Sequence, residues 1–189
     1  SSDNGAMQEG GHRRHSFNSS GILRGGKRDL YEGGVRTPTI AWWPGKIASA
    51  SVSDHLSAFW DISPTMRELA GAKAQDDTDG LSMVPTLLGT QGQQKHSHLY
   101  WEFYEAGGKR AVRKGKWKLI LLKTGSVRNP KPELYNLDAD PSEKNNVASK
   151  NPEVVSELLK TMDASHTLAE HKNFRFATEK SKKGKNKGK

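Results

Sequence analysis

Three short segments of β type follow one another in the second half of the chain: "HLYWEFYE", "KRAVRKG" and "KWKLILLK". Aromatic and β-branched residues favour strands over helices. Lys114 and Gly115, between the last two segments, predict a tight hairpin turn. A shorter strand, "PELYN", follows. The order predicts an antiparallel sheet of about four strands.

An amphipathic helix is predicted in "NPEVVSELLKTMDASH". Asn151 suits the N-cap and Pro152 suits the first turn. The apolar residues recur at helical spacing, namely Val154, Val155, Leu158, Leu159 and Met162. The sheet and this helix together predict a small α+β domain.

The first half of the chain has a different pattern. "VRTPTIAWWPG" predicts a buried strand that Pro44-Gly45 closes. "SDHLSAFWDISPTMRELAGA" predicts a helix with Asp61 or Ser63 as its cap and Gly71 as its stop signal. "DGLSMVPTLLG" predicts a turn and a short helical piece.

We therefore expect an α/β chain with three parts. Residues 1–95 form part of an α/β domain, residues 96–170 form the small antiparallel-sheet-plus-helix domain, and residues 171–189 form a disordered basic tail. The tail "TEKSKKGKNKGK" has six lysines and one glutamate, a net charge of +5. Because a Gly/Lys run without apolar residues cannot build a core, we expect no fixed structure there.

Composition excludes several classes of function. The net charge is +9, but over half of it lies in the tail, so the body is only mildly basic. No RNP, helix-turn-helix or zinc pattern is present, and we expect no nucleic-acid partner. The absence of cysteine excludes disulfides, thiolate metal sites and a cysteine nucleophile within these residues. No apolar run approaches the roughly 20 residues of a membrane span.

The stretch "SDNG" near the start offers oxygen ligands for a hard cation. Asp3 supplies a carboxylate and Asn4 an amide carbonyl, and Gly5 permits the turn that lets adjacent side chains converge. Ca²⁺ takes such an oxygen mixture. An ordinary Asx turn is the alternative interpretation.

The stretch "LRGGKRDLYEGG" surrounds Lys27 with two pairs of glycines. Paired glycines permit positive φ and close approach of the backbone to a ligand. A lysine beside exposed backbone amides suits a tetrahedral oxyanion. The spacing is not that of a P-loop, and a solvated basic turn is the alternative interpretation.

The two stretches together resemble the sulfatases of the alkaline phosphatase superfamily, specifically the arylsulfatase and N-acetylgalactosamine-6-sulfatase type. The likeness continues through "GVRTPTIAWWPGKI", "VSDHLSAFWDISPTMRELAG", "DGLSMVPTLLG", "LYWEFYEAGGKRAVRKGKWKLI" and "ELYNLDADPSEKNNVA". It covers residues 1 to about 165, so only the tail lies outside it.

The resemblance implies a role for several residues. Asp3 and Asn4 match two ligands of the active-site Ca²⁺, and Lys27 matches the lysine that holds a sulfate oxygen. Glu9, His12 and His15 lie between the two stretches and are candidates for substrate binding. Arg24 and Arg36 match family positions without an assigned role.

The resemblance also implies parts that this chain does not contain. Such sulfatases use a formylglycine made from C-x-P-x-R or S-x-P-x-R, and neither motif is present. Asp76-Asp77 follow a helix in a linker and are rejected as the paired aspartates of the calcium site. We expect the C-terminal portion of a periplasmic or secreted sulfatase that acts on a sulfated small molecule or glycan and is inactive alone. A phosphoesterase or phosphonate hydrolase of the same superfamily and a basic polyanion-binding module are the alternatives.

Overall fold

The computed structural model describes residues 1–7, 9–11, 14–176 and 179, with the backbone alone at residues 14 and 15. The chain divides into two compact units. One unit comprises Pro38–Ser97 with Ser1, and the other comprises Ser2–Thr37 with His98–Lys189. The domain limits predicted at residues 95 and 170 stay a prediction. Within the described residues, no helix is both long and apolar enough to cross a membrane.

The second unit contains the predicted four-stranded antiparallel sheet. Its strands follow chain order: β1 Leu99–Phe103, β2 Lys109–Lys114, β3 Trp117–Leu122 and β4 Pro132–Asn136. Lys114 pairs with Trp117, so the hairpin loop is Gly115-Lys116, one residue later than predicted. Gly115 has a φ of 56°, a left-handed conformation that favours glycine.

Four helices accompany the sheet in the described part of the chain: α1 Glu32–Val35, α2 Ile62–Leu69, α3 Val84–Leu88 and α4 Pro152–Ala164. The long amphipathic helix α4 confirms its prediction. Asn151 occupies the N-cap position and Pro152 the first turn, as predicted, but the Asn151 side chain makes no capping hydrogen bond. Asn151 Nδ2 instead donates to the Val147 carbonyl at 2.9 Å, in the turn that precedes the helix.

The two faces of the sheet bury different partners because side chains alternate along a strand. Leu119 of β3 belongs to the cluster that contains Leu158 and Met162 of α4. Its neighbour Ile120 belongs to the cluster on the opposite face with Leu30, just ahead of α1. One face thus carries the helix, and the other carries the glycine-rich loop around Lys27.

The first unit is organised around the buried carboxylate of Asp61, directly before α2. Its oxygens accept hydrogen bonds from the backbone amides of Ala58 and Leu81, at 2.7 and 2.8 Å. His96 Nε2 lies 2.9 Å from the same carboxylate. One side chain therefore joins the helix start, the loop before α3 and the end of the unit. Gly71 ends the helical turn with a φ of 66°, as predicted.

The predicted buried strand in residues 35–45 is wrong for this structure. Residues 36–43 have no regular secondary structure, and Ile40 and Trp42 are 86% and 85% exposed. A strand requires a neighbour to pair its backbone groups. No described strand pairs with this segment, so its β-type sequence has no ladder to join.

The segment after α4 packs against β1 through an aromatic and carboxylate cluster. Phe176 is 3% exposed and stacks on Tyr104 with ring centroids 5.1 Å apart. His166 contacts Glu102 through Nδ1 and Glu179 through Nε2. Order therefore extends at least to Phe176 within the predicted tail. The predicted disorder of residues 177, 178 and 180–189 lies outside the described residues.

Glu102 makes this docking sensitive to acid. Burial alone would raise its pKa, but hydrogen bonds from Tyr100, Tyr104 and His166 outweigh burial and hold the pKa below its ordinary value near 4.5. A carboxyl group whose pKa is lower in the folded protein than in the unfolded protein stabilises the folded protein at higher pH. That stabilisation is present above pH 4.5 and is lost as the pH falls through the lowered pKa.

We expect the segment around Phe176 to loosen as the pH is lowered from 5 towards 3. Amide hydrogen exchange at Phe176, followed against pH, measures this change. Glu102→Gln should show faster exchange at pH 5 and a smaller acid step in that range, since the Phe176 amide also donates to the Glu179 carboxylate. An acid step as large as that of the wild type would contradict the assignment to Glu102.

Candidate functional site

Lys27 lies in a tight turn between the two glycine pairs. Asp29 N donates to Gly26 O at 2.8 Å, and Asp29 Oδ2 accepts from Gly26 N at 3.1 Å. The turn places Lys27 at its second position and Arg28 at its third. The Lys27 side chain is 32% exposed, so the ammonium group is accessible to a ligand.

The segment that carries Asp3 and Asn4 is hydrogen-bonded to this loop. Gly5 N donates to Gly34 O at 2.9 Å, and Lys27 N donates to Ala6 O at 2.9 Å. These two bonds hold the "SDNG" stretch against both glycine pairs. The structure therefore brings together the two stretches that the sequence analysis singled out.

Glycine is required in this region because backbone segments approach very closely. A Cβ at Gly5 would lie 1.8 Å from Gly33 O, and one at Gly34 would lie 2.0 Å from Asp29 O. Such distances are far inside van der Waals contact, so a side chain would separate the segments. The prediction of close approach is correct in kind, but the partner is another part of the chain rather than a ligand.

The backbone amides around Lys27 are not a free set of anion donors. The N–H groups of Gly26, Lys27, Gly33 and Gly34 all donate to oxygens of the chain itself. The expectation of exposed amides beside Lys27 is therefore wrong for these four groups. The positive charge of the ammonium group remains available for an oxyanion.

The sheet positions the Lys27 loop through polar side chains on one face. Lys109 Nζ donates to Arg28 O at 2.6 Å and lies 3.0 Å from Asp29 Oδ1. At the other edge, Glu133 accepts a hydrogen bond from Tyr31 at 2.7 Å. Arg24 has a structural role here, since it donates to Glu143 O at 2.9 Å and stacks over Tyr31.

A buried ionic network anchors the end of the same loop. Lys118 of β3, 0% exposed, has its Nζ 2.8 Å from Glu32 Oε1 and 3.1 Å from Glu143 Oε1. Glu143 Oε2 accepts from the Glu32 amide at 2.6 Å. Arg113 and Arg36 lie farther from Glu32, at 3.5 and 3.9 Å. Burial raises the pKa of Glu143 although Lys118 opposes this.

Glu9 is ion-paired beside the site. Its carboxylate oxygens lie 3.5 Å from Lys27 Nζ and 3.0 Å from Arg28 NH1. Of the other predicted substrate-binding residues, His12 lies outside the described residues, and the side chain of His15 is not described. Their predicted role stays a prediction.

Asp3 and Asn4 offer a partial set of ligands for a hard cation. Asp3 is exposed, and its hydrogen-bond partner in the described residues is the Ser2 hydroxyl at 3.5 Å. Asn4 is half-buried. The described residues contain no group of three or more His, Asp or Glu side chains that could hold a metal alone. A carboxylate and an amide oxygen fit Ca²⁺, which needs further oxygen ligands.

Residues 25–170 match the family model described as "N-sulphoglucosamine sulphohydrolase, C-terminal". The match begins at the glycine pair before Lys27 and includes the whole sheet and α4. The chain belongs to the sulfatase family.

Curated relatives of this sulfatase chain share about a third of its residues. Arylsulfatase A from Bos taurus is 37% identical over 163 residues, which cover 76% of this chain and 32% of the relative. N-acetylgalactosamine-6-O-sulfatase from Bacteroides thetaiotaomicron is 33% identical over 186 residues, which cover 88% of this chain and 35% of the relative. The chain therefore spans about a third of the length of these relatives.

Solved structures confirm the predicted fold class. A chain from work on glycosaminoglycan metabolism by Bacteroides thetaiotaomicron superimposes with a TM-score of 0.64 at 32% identity, covering 86% of this chain and 37% of that one. The chain called Ps i-CgsB, in complex with k-i-k-neocarrahexaose, gives a TM-score of 0.68 at 26% identity. That likeness covers 85% of this sulfatase chain and 34% of the other.

Sequence reasoning missed the residues that support the site from a distance. Lys118 and Glu143 lie 91 and 116 positions after Lys27 in the numbering, and each stands among ordinary charged residues. Only one signal was available: Lys118 breaks the apolar pattern of β3 at an inward position. Arg28, which contacts Glu9, was also missed, because no periodicity marks a residue in a loop.

We expect Lys118→Met to destabilise the protein by about 3–5 kcal/mol, because it leaves Glu143 buried without its cation and Glu32 with only the more distant Arg113 and Arg36. The free energy of unfolding, measured with urea, tests this. Lys114→Met is the control, since Lys114 pairs with Glu157 at the surface and should cost less than about 1 kcal/mol. Equal losses in the two variants would contradict the anchoring role.

Proposed function

We propose that this chain is the C-terminal portion of a sulfatase that hydrolyses sulfate esters of carbohydrates with the aid of Ca²⁺. The observation that carries the proposal is the hydrogen-bonded contact between the "SDNG" stretch and the Lys27 loop. Membership of the sulfatase family supports the reaction class. Relatives that act on sulfated sugars, by their names, support the substrate class.

Lys27 is proposed to hold a sulfate oxygen. Its ammonium group is a compact positive charge on a rigid turn, and it is accessible on one side. A fixed cation stabilises negative charge that increases in the transition state, without the cost of reorienting solvent. The turn and the contacts with Lys109 keep the backbone of Lys27 in place while the ester reacts.

Asp3 and Asn4 are proposed to provide two of the ligands for Ca²⁺. The bound ion would supply positive charge for orienting the sulfate group. The oxygens fit this role by their chemistry, and the tight packing of Gly5 fixes the backbone that carries them. We propose that the remaining ligands and the formylglycine nucleophile come from a part of the protein outside this chain, so that the chain alone is inactive.

The location of the enzyme is proposed to be periplasmic or secreted, by resemblance to the family. Fractionation of cells that express the complete protein would test this.

In the complete protein, we expect Lys27→Ala to lower kcat for 4-nitrophenyl sulfate by about a hundredfold to a thousandfold, because one fixed donor to the developing charge is lost. The control is Lys46→Ala, which removes an exposed lysine of the other unit. Near wild-type turnover by Lys27→Ala would contradict the assignment. Faster hydrolysis of 4-nitrophenyl phosphate than of the sulfate would favour the phosphoesterase alternative.

We expect Asp3→Asn to weaken Ca²⁺ binding by the complete protein about tenfold or more, because a charged ligand is replaced by a neutral one. Calorimetric titration with Ca²⁺ measures the change. Asp54→Asn removes an exposed carboxylate from the other unit and should leave the affinity unchanged. If both variants bind Ca²⁺ as the wild type does, Asp3 is not a ligand.

A further inference from the structure

A chain of alternating charges extends from Lys27 across the rim of the site. The carboxylate of Glu9 bridges Lys27 and Arg28, with one oxygen on each, at 3.5 and 3.0 Å. Arg28 Nε also lies 3.6 Å from Glu105 Oε2, at the tip of the β1–β2 hairpin. The lysine proposed to bind sulfate therefore has a negative charge beside it, and that charge is shared with a second cation.

Arg28 adopts a backbone conformation that an arginine rarely has. Its φ is 72°, at the third position of the turn, where glycine is favoured. A left-handed conformation costs a non-glycine residue stability. At this strained position the guanidinium group contacts two carboxylates, those of Glu9 and Glu105. These contacts indicate a role for the arginine side chain.

The geometry assigns Arg28 as the residue that positions Glu9. One carboxylate oxygen of Glu9 lies 3.0 Å from Arg28 NH1, and the other lies 3.5 Å from Lys27 Nζ. The contact with Arg28 is therefore the shorter of the two by 0.5 Å. Arg28 competes with Lys27 for the carboxylate and keeps Glu9 beside the ligand rather than directly on the ammonium group. The site thus has the ammonium group of Lys27 to bind an anion and the carboxylate of Glu9 as a fixed negative charge beside it.

We propose that Glu9, held by Arg28, is a specificity-determining residue that favours singly charged sulfate esters over doubly charged phosphate esters at Lys27. The inference rests on the proposed function, because it takes Lys27 as the anion site. A sulfate monoester carries one negative charge, and a phosphate monoester carries between one and a half and two at pH 7, since its second pKa is about 6. Coulomb repulsion scales with the charge, so Glu9 penalises the phosphate about twice as strongly.

The test measures dissociation constants of phenyl sulfate and phenyl phosphate with the complete protein at pH 8 and fixed ionic strength. We expect Glu9→Gln to tighten phenyl sulfate about two- to fivefold, the range of an exposed ion pair. The same variant should tighten phenyl phosphate by about the square of that factor, since its charge is double. The preference for the sulfate ester then falls about two- to fivefold.

Arg28→Gly tests whether Arg28 acts through Glu9. Glycine suits the left-handed backbone, so the variant should unfold at the same or a higher urea concentration. Both ligands should nevertheless bind about two- to fivefold more weakly, because Glu9 then pairs with Lys27 alone. In the Glu9→Gln background the same substitution should change binding less than about 1.5-fold, since the two effects are not independent.

Lys27→Met separates failure of this inference from failure of the proposed function. If Lys27→Met loses binding but Glu9→Gln keeps the wild-type preference for the sulfate ester, the inference about Glu9 is overturned and the proposed function stands. Unchanged binding in Lys27→Met, or no saturable binding of either ester by the wild type and Glu9→Gln, overturns both. A full effect of Arg28→Gly in the Glu9→Gln background overturns the positioning role of Arg28.

Discussion

The buried ammonium group of Lys118 holds the sheet of the second unit and the loop around Lys27 together. It lies between two carboxylates. Glu32 precedes Lys118 in the sequence and ends the loop around Lys27, and Glu143 follows Lys118 and lies in the loop after β4. A charge without access to water is stable only when its partners are close. The network therefore fixes the loop at its C-terminal end, where Gly5 also packs closely against Gly33.

The two faces of the sheet therefore have different roles. The face towards α4 buries the apolar side chains of Leu119, Leu121 and Leu134 against the helix. The face towards the Lys27 loop mixes apolar residues with charged ones, among them Lys109 and Arg113. An apolar face alone would hold the loop without fixing its register, whereas paired charges specify which residue meets which. The loop around Lys27 thus gains a defined position from side chains of the sheet.

Much of the local structure could be predicted from the sequence. The β-type run "KWKLILLK" reflects the burial of both faces of β3, and the period of Val155, Leu158 and Met162 reflects the burial of one face of α4, so both elements were predicted correctly. Gly71 and Gly115 adopt the left-handed conformations that their turns require. The contact between the "SDNG" stretch and the loop around Lys27 was expected only through the resemblance to sulfatases, and the roles of Asp3 and Lys27 stay a prediction.

What could not be predicted depends on contacts between distant residues. The segment around Trp42 has the composition of a buried strand, yet strand formation requires a neighbour that no local pattern supplies. Asn151 has the right residue type for a cap, but the Val147 carbonyl competes for its side chain. The pairing of Lys118 with Glu32 joins residues 86 positions apart, and nothing in either local stretch identifies the partner.

The hydrogen bond from Gly5 N to Gly34 O has a chemical consequence for the ageing of the protein. Asn-Gly is the dipeptide in which the glycine nitrogen most readily attacks the asparagine side chain, forming a cyclic imide with loss of ammonia. Here that nitrogen is engaged with Gly34, and the crowding of Gly5 against Gly33 opposes the backbone rotation that the attack requires. The fold that gathers the candidate ligands thus also slows the spontaneous conversion of Asn4 into aspartate or isoaspartate.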